Sequence, residues 1–312
     1  MNKFYPITNF LIIFILLFLA FTVQGKGKTT TKKKSINLAS VSAAVFDYKT
    51  AASLYEKNSS VVMPIASITK LMTAMVVLDA KQSLKQKIRF TKADRRAINF
   101  YFSRIRTGSE LSRADVMRIA LMSSENLAAS ALGSNYPGGV KAIVKAMNKK
   151  AKSLGMKNTH FVDSTGLSDK NVSTTADLAK MVIAAAKYPL LKKYSTTQVY
   201  TARFKKPRYI LGFTNTNRLI RSGDKNVKLS KTGYLDVAGR CLVMLTRVGN
   251  KDIVMVMLDS FGKRSPLGDV KRIKKWLKTG KQSRVAKSAS NYASTKLAYY
   301  SAIKSKNTVQ VQ

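Results

Sequence analysis

The chain has 312 residues and 45% of them are hydrophobic, enough for a sizeable core and outside the composition of a disordered protein. Its 56 lysines and arginines against 15 aspartates and glutamates leave a formal net charge of +41, which calls for polyanionic surroundings such as nucleic acid, acidic lipid headgroups or anionic wall polymers. A single cysteine excludes an internal disulfide, and with a single histidine there is no Cys/His set for structural zinc and no base but His160 for a Ser-His-Asp triad.

Met1-Asn2-Lys3 is followed by an almost uncharged stretch from Phe4 to Gln24. Its apolar centre, Phe10 to Phe21, is about half the ~20 residues that a membrane span needs. Residues 1–25 therefore read as a secretory signal peptide with small residues for cleavage around Val23-Gln24-Gly25, an uncleaved anchor being the alternative. Either form puts the functional part outside the cytoplasm, and export argues against nucleic acid as the partner of the positive charge. The charge is also spread along the chain, as on a solvated basic surface, although Lys26 to Lys34 and Lys271 to Lys287 are denser.

Residues 26–37 are polar and basic without periodicity and read as a linker, with folding expected from Leu38. Val41 to Tyr48 and Ala51 to Tyr55 predict a strand, a turn at Asp47-Tyr48-Lys49-Thr50, and a second strand. After Pro64, the apolar run Ile65 to Ala80 is too long for a strand and predicts a buried helix. Helical spacing dominates from Lys92 to Lys187, as in Val116, Ile119, Ala120 and Met122, and suggests a helical subdomain at about residues 90–190. Beyond Gln198 the pattern turns to strands: Val199 to Phe204, Tyr209 to Phe213, Val227 to Leu235, Cys241 to Val248 and Ile253 to Leu258. An amphipathic helix follows at Gly268 to Leu277, and residues 281–312 read as a basic tail with no clear core face. Strands at both ends with helices between them predict a mixed α/β (α+β) fold, in which one antiparallel sheet has its first two strands rejoined by the later ones.

Three groups of residues carry chemistry. Ser67-Ile68-Thr69-Lys70 sets a hydroxyl and an amine three residues apart on one face of the buried helix, where they touch. Serine is a poor nucleophile and an ordinary lysine, with a pKa near 10.4, a poor base. A lysine on an apolar helix, near the helix N-terminus and near another cation, is disfavoured in its charged form and accepts the serine proton. The same spacing recurs at Ser222 to Lys225, in a turn, and at Ser301 to Lys304, and a serine in this place also serves simply as an N-cap. The second group is Ser124-Glu125-Asn126, at the junction of two helical runs. There the Ser124 hydroxyl can relay a proton and the Asn126 amide can orient Lys70 and bind a carbonyl, or the group simply caps the second helix. The third is Lys231-Thr232-Gly233 on a strand, where glycine admits a second backbone and Lys231 and Thr232 offer donors to a substrate carboxylate. A further Lys278-Thr279-Gly280 follows a helix end and reads as a C-cap. His160 and Cys241 read as structural.

A Ser-x-x-Lys, a later Ser-x-Asn and a later Lys-Thr-Gly, in this order, resemble the signature of the penicillin-recognising acyl transferases. The likeness extends through Pro64-Ile65-Ala66-Ser67-Ile68-Thr69-Lys70-Leu71-Met72-Thr73-Ala74, Asp163-Ser164-Thr165-Gly166-Leu167, Ser173-Thr174-Thr175-Ala176-Asp177-Leu178 and Ser230-Lys231-Thr232-Gly233. It looks like the low-molecular-mass D-alanyl-D-alanine peptidases over Leu38 to Leu277. Met122-Ser123-Ser124-Glu125-Asn126, Asn215-Thr216-Asn217 and Gly239-Arg240-Cys241-Leu242 are most similar to the endopeptidases among them.

The resemblance implies a β-lactamase/transpeptidase-like fold and a peptidase domain over 38–280. It implies Ser67 as acyl-ester nucleophile, Lys70 as proton acceptor, Ser124 as relay, and Asn126 and Lys231 in substrate binding. It also implies an oxyanion hole of the Ser67 and Tyr234 backbone N–H groups. Peptidoglycan stem peptides would be the substrate and β-lactam antibiotics covalent inhibitors, in the periplasm, with no cofactor and no metal. One departure is Lys49-Thr50-Ala51-Ala52, where related enzymes often place glycine. A class A β-lactamase is disfavoured, because its deacylating glutamate lies between the second and third motifs and no glutamate follows Glu125. D-alanyl-D-alanine carboxypeptidase activity and, from another class, a non-catalytic cationic wall-binding protein remain as alternatives.

Overall fold

A computed structural model describes residues 1–3, 36–99 and 101–309, so the signal peptide and almost all of the linker lie outside the described residues. In chain order the elements are β1 (Ser40–Asp47), β2 (Ser53–Lys57), β3 (Met63–Pro64), α1 (Thr69–Asp79), β4 (Lys87–Arg89), α2 (Lys92–Ala97) and β5 (Glu110–Ser112). There follow α3 (Arg113–Met122), α4 (Asn126–Ser134), α5 (Gly139–Ser153), β6 (Val172–Ser173), α6 (Thr175–Ala185), α7 (Pro189–Ser195), β7 (Val199–Phe204) and β8 (Tyr209–Thr214). The last are α8 (Arg218–Arg221), β9 (Val227–Leu235), β10 (Gly239–Val248), β11 (Lys251–Ser260), α9 (Ser265–Thr279) and α10 (Lys287–Val309).

The main sheet has the order β2-β1-β11-β10-β9 and its neighbours are antiparallel, so the first two strands are indeed rejoined by the last three. The unbroken apolar run Ile253 to Leu258 falls in the central strand because both faces of the sheet are covered. Val254, Val256 and Leu258 face the large core shared with α1 and α3 to α6. Ile253, Met255 and Met257 face a second core beneath α9. The β7–β8 hairpin, read from the sequence as part of the same β-rich region, is a separate two-stranded sheet.

Nine of the 11 residues of α1 are buried. A helix that is apolar all round needs neighbours on every side, and α1 packs against α3, α4, α5, α6 and α7. This central helix sets the site at the middle of the molecule, against the edge strand β9. Pro64 does not open the helix: it pairs with Val172 in the β3–β6 bridge, and a 3-10 turn, Ala66–Ile68, intervenes.

Two boundaries differ from the sequence reading. The fold starts before Leu38, since Ile36 is buried in the second core and its carbonyl accepts the Tyr55 hydroxyl at 2.9 Å. The basic tail is largely helix: α10 buries Ala289, Ala293 and Tyr300. Small alanines and an amphipathic tyrosine make this face, which is why it showed no apolar stripe. In the β1–β2 turn Ala51 adopts φ 56°, the left-handed conformation that glycine takes without strain, while Asp47 Oδ1 accepts the amides of Lys49 and Thr50.

Candidate active site

Ser67 sits in the 3-10 turn that feeds α1, and its side chain caps neither helix. The turn is held from two sides. From one, Gly166 at φ +79° presses so close that a Cβ there would lie 2.0 Å from the Ala66 carbonyl oxygen, so only glycine fits. From the other, a Cβ on Gly233 would lie 3.1 Å from Ile65 O and 3.2 Å from Ser67 N. The backbone that Gly233 admits is thus the chain's own nucleophile turn, which brings β9 against Ser67. Because β9 is the outer strand of the sheet, its free edge runs along the site.

Lys70 lies one turn into α1, fully buried, with Nζ 2.7 Å from Ser67 Oγ, 2.8 Å from Asn126 Oδ1 and 2.6 Å from Thr165 O. Burial pulls its pKa down to about 7, although Asp163 and Glu125 pull the other way. In the neutral amine the two N–H bonds go to the Asn126 and Thr165 oxygens, which only accept. The lone pair then faces the Ser67 hydroxyl. Thr165 had no part in the sequence reading beyond its place in the Asp163 to Leu167 stretch. Asp163 shapes that loop by accepting from the amides of Thr165, Gly166 and Ser168.

The Ser-x-Asn group joins α3 to α4. Ser124 takes a left-handed φ of 61°, Glu125 caps α4 by accepting the Leu127 amide at 3.2 Å, and Asn126 is the first residue of α4. Glu125 is half-buried, and its partial desolvation raises its pKa. Ser124 Oγ accepts from Lys231 Nζ at 2.8 Å, and Asn126 meets Lys70. Ser124 is therefore bonded to Lys231 on β9. Burial lowers the pKa of Lys231 well below that of a free lysine, and Lys70 adds repulsion. Thr232 and Thr216 share a 2.6 Å hydroxyl contact. Thr216 lies in the Asn215-Thr216-Asn217 stretch, and its amide donates to Met122 O at 2.8 Å, tying it to the end of α3.

Ser67, Ser124, Asn126, Thr232, Gly233 and Tyr234 line one cleft of about 590 Å³, a size suited to a drug-sized ligand. Lys70 and Lys231 lie beneath it. The other sequence candidates fall elsewhere. Ser222 ends α8 and bonds the Leu219 carbonyl, Gly280 caps α9, and His160 is exposed beside Val172. Cys241 borders the cleft but is buried, and burial pushes its thiol up to about 12, which keeps it inert. Among the described residues, no group of three or more His, Cys, Asp or Glu is placed to hold a metal ion.

The chain is similar to known proteins in both sequence and fold. The D-alanyl-D-alanine endopeptidase of Pseudomonas aeruginosa is 46% identical over 289 residues, covering 91% of this chain and 93% of that protein. The crystal structure of the Streptomyces K15 DD-transpeptidase superposes with a TM-score of 0.70 at 27% identity, over 83% of this chain and 98% of that one. Penicillin-binding protein D2 of Listeria monocytogenes, solved with ampicillin bound, superposes with a TM-score of 0.65 at 29% identity, over 77% of this chain and 98% of that one. Residues 28–262 match the peptidase S11 family, described as D-alanyl-D-alanine carboxypeptidase, and the chain belongs to that family of penicillin-recognising serine peptidases.

Proposed function

We propose that the protein is a serine-type D-alanyl-D-alanine endopeptidase that opens peptidoglycan cross-links through an acyl-enzyme on Ser67. The observation that carries the reading is the depressed pKa of Lys70, about 7, with its amine 2.7 Å from Ser67 Oγ and its N–H bonds directed elsewhere. Ser67 Oγ attacks the D-alanyl carbonyl as its proton passes to Lys70 Nζ. The backbone N–H groups of Ser67 and Tyr234 receive the oxyanion, and Asn126 binds the neighbouring substrate amide. When the C–N bond breaks, the proton that Lys70 took from Ser67 passes through the Ser124 hydroxyl to the leaving amine, and Lys231 and Thr232 hold the carboxylate beside it. Lys70, neutral again, takes a proton from the water that attacks the ester and returns it to Ser67 Oγ as the ester C–O bond breaks. The 46% identical relative named as an endopeptidase supports cross-links as substrate. The family description supports D-alanine release from pentapeptides as a second activity of the same acyl-enzyme.

The site is read as periplasmic. The apolar N-terminus supports export, and no helix among the described residues is long and apolar enough to cross a membrane. In this reading residues 38–280 hold the catalytic part of the peptidase domain, with Ile36 and α10 packed onto it. The ampicillin-bound relative supports β-lactams as covalent inhibitors.

The test is labelling of the purified protein by a fluorescent penicillin alongside Ser67→Ala and Lys70→Ala. Wild-type labelling that vanishes in Ser67→Ala is expected. A folded wild type that takes no label would instead favour a wall-binding protein without catalysis.

A further inference from the structure

The Asn215-Thr216-Asn217 stretch between β8 and α8 belongs to none of the three groups that carry the acyl transfer, yet it reaches both walls of the cleft. The Thr216 backbone amide donates to Met122 O at 2.8 Å, two residues before Ser124, and the Thr216 hydroxyl lies 2.6 Å from that of Thr232 on β9. Its neighbours fix it there. Asn215 and Asn217 are both buried, and each uses both ends of its side-chain amide. Asn215 donates to Ser195 O and Thr197 O at 2.9 and 2.8 Å and accepts the Asn217 backbone amide at 2.9 Å. Asn217 donates to Ser230 Oγ on β9 at 2.8 Å and accepts the Leu219 backbone amide at 2.9 Å. Thr216, between them, is exposed and lines the cleft together with Thr232. The scaffold is buried, and the hydroxyl it presents faces the space that substrate would fill.

Two hydroxyls in contact have two protons, and only one lies between them. If Thr232 donates to Thr216, its proton is engaged and it turns a lone pair toward the cleft, which repels an anion. If Thr216 donates to Thr232, the Thr232 proton is free for a carboxylate. Met122 O, the other acceptor that Thr216 Oγ1 approaches among the described residues, is 3.5 Å away, too far to compete with a contact of 2.6 Å. A carboxylate at Thr232 therefore leaves one arrangement in which both protons are used: Thr216 donates to Thr232, and Thr232 to the anion. Each bond of such a chain polarises the next and strengthens it. Threonine suits the position, since branching at Cβ leaves χ1 few choices and sets the hydroxyl before substrate arrives.

Resting on the reading above that Thr232 holds the carboxylate beside the released amine, we propose that Thr216 is a positioning residue that acts through Thr232, its hydroxyl directing the Thr232 proton at that carboxylate. An amide in the same place carries no charge and accepts through one oxygen only, so the chain of hydroxyls favours the acid.

The experiment measures kcat and KM of the full chain on a D-alanyl cross-linked muropeptide whose carboxylate beside the released amine is either free or amidated. Wild type, Thr216→Val, Thr216→Ser, Thr232→Val and the Thr216→Val/Thr232→Val pair are compared, with thermal melts and penicillin labelling of each. The free-to-amidated ratio of kcat/KM is expected to fall about three- to tenfold in Thr216→Val, as for the loss of a single hydrogen bond, and mainly through KM. It should recover in Thr216→Ser, which keeps the hydroxyl. The double variant should lose no more than Thr232→Val alone, because a residue that acts through another adds nothing once that other is gone. A ratio unchanged in Thr216→Val, or losses that multiply in the double variant, overturns the inference while leaving Thr232 and the acyl-enzyme as read. A Thr232→Val variant that keeps the wild-type ratio removes Thr232 from the carboxylate and this inference with it, although the label on Ser67 stands. A wild type that takes no label overturns the acyl-enzyme reading and all that rests on it.

Discussion

Lys70 shows how one side chain is tuned by its surroundings. It is enclosed by protein, its amine has three neighbours, and one of them is the hydroxyl it is read to activate. Because the neutral form has the lone pair, the rate of acylation by penicillin should rise about tenfold per pH unit below a pKa of about 7 and level off above it. A stopped-flow profile that stays flat from pH 5 to 9 would remove Lys70 as the base. Lys70→Arg, whose guanidinium holds its proton throughout that range, should slow acylation by about 10²–10⁴-fold. Gly166 and Gly233 matter at the same scale for a steric reason. They let a loop and a strand close on the turn that holds Ser67, and a side chain at Gly166 would collide with the backbone.

The element least visible in the sequence is α10. It docks through polar contacts: Tyr292 and Tyr300 donate to the two oxygens of Asp259 at 2.5 and 2.8 Å, and Lys296 lies 3.8 Å from the same carboxylate. Asp259 is fully buried at the end of β11, and burial raises its pKa, so these donors offset the cost of enclosing it. The Tyr300 hydroxyl also approaches Val237 O at 3.3 Å, in the β9–β10 turn that follows Tyr234. Tyr300→Phe leaves the buried carboxylate one donor short and should cost about 1–3 kcal/mol in urea unfolding. Tyr299→Phe, on an exposed ring, should stay within about 0.5 kcal/mol. Equal effects for the two would mean that α10 is not held through Asp259.

Over the whole molecule the cation excess outlasts every ion pair, since 56 basic residues face 15 acidic ones. Pairs such as Lys150 with Asp79 and Lys228 with Asp252 use carboxylates that are in short supply. On α5, Lys141, Lys145, Lys149 and Lys152 stand exposed along a helix without an acidic residue, and lysines at this spacing repel. An anionic envelope polymer relieves that repulsion. Retention of the purified protein on an immobilised polyanion should be lost between about 0.1 M and 1 M salt, where the Debye length falls from about 10 Å to about 3 Å. Retention indifferent to salt would point to contacts other than charge.

Much of this was legible beforehand because it depends on local spacing. Three residues on a helix bring Ser67 to Lys70, and continuous apolar runs mark α1 and β11 as interior, since an element covered on all sides has no polar face to show. The pairing of Ser124 with Lys231 was not legible, for it spans 107 residues and depends on how α4 meets β9. Nor was the separation of β7–β8 from the main sheet, because strand propensity does not name a partner. The docking of α10 escaped detection because alanines and tyrosine hydroxyls make its face, and a hydroxyl acquires meaning only when the fold brings Asp259 within reach. The sequence by itself determined the family and the order of the elements. The tertiary structure alone decided which lysine each hydroxyl meets and what burial does to that lysine's proton, because both are set by contacts between segments remote along the chain.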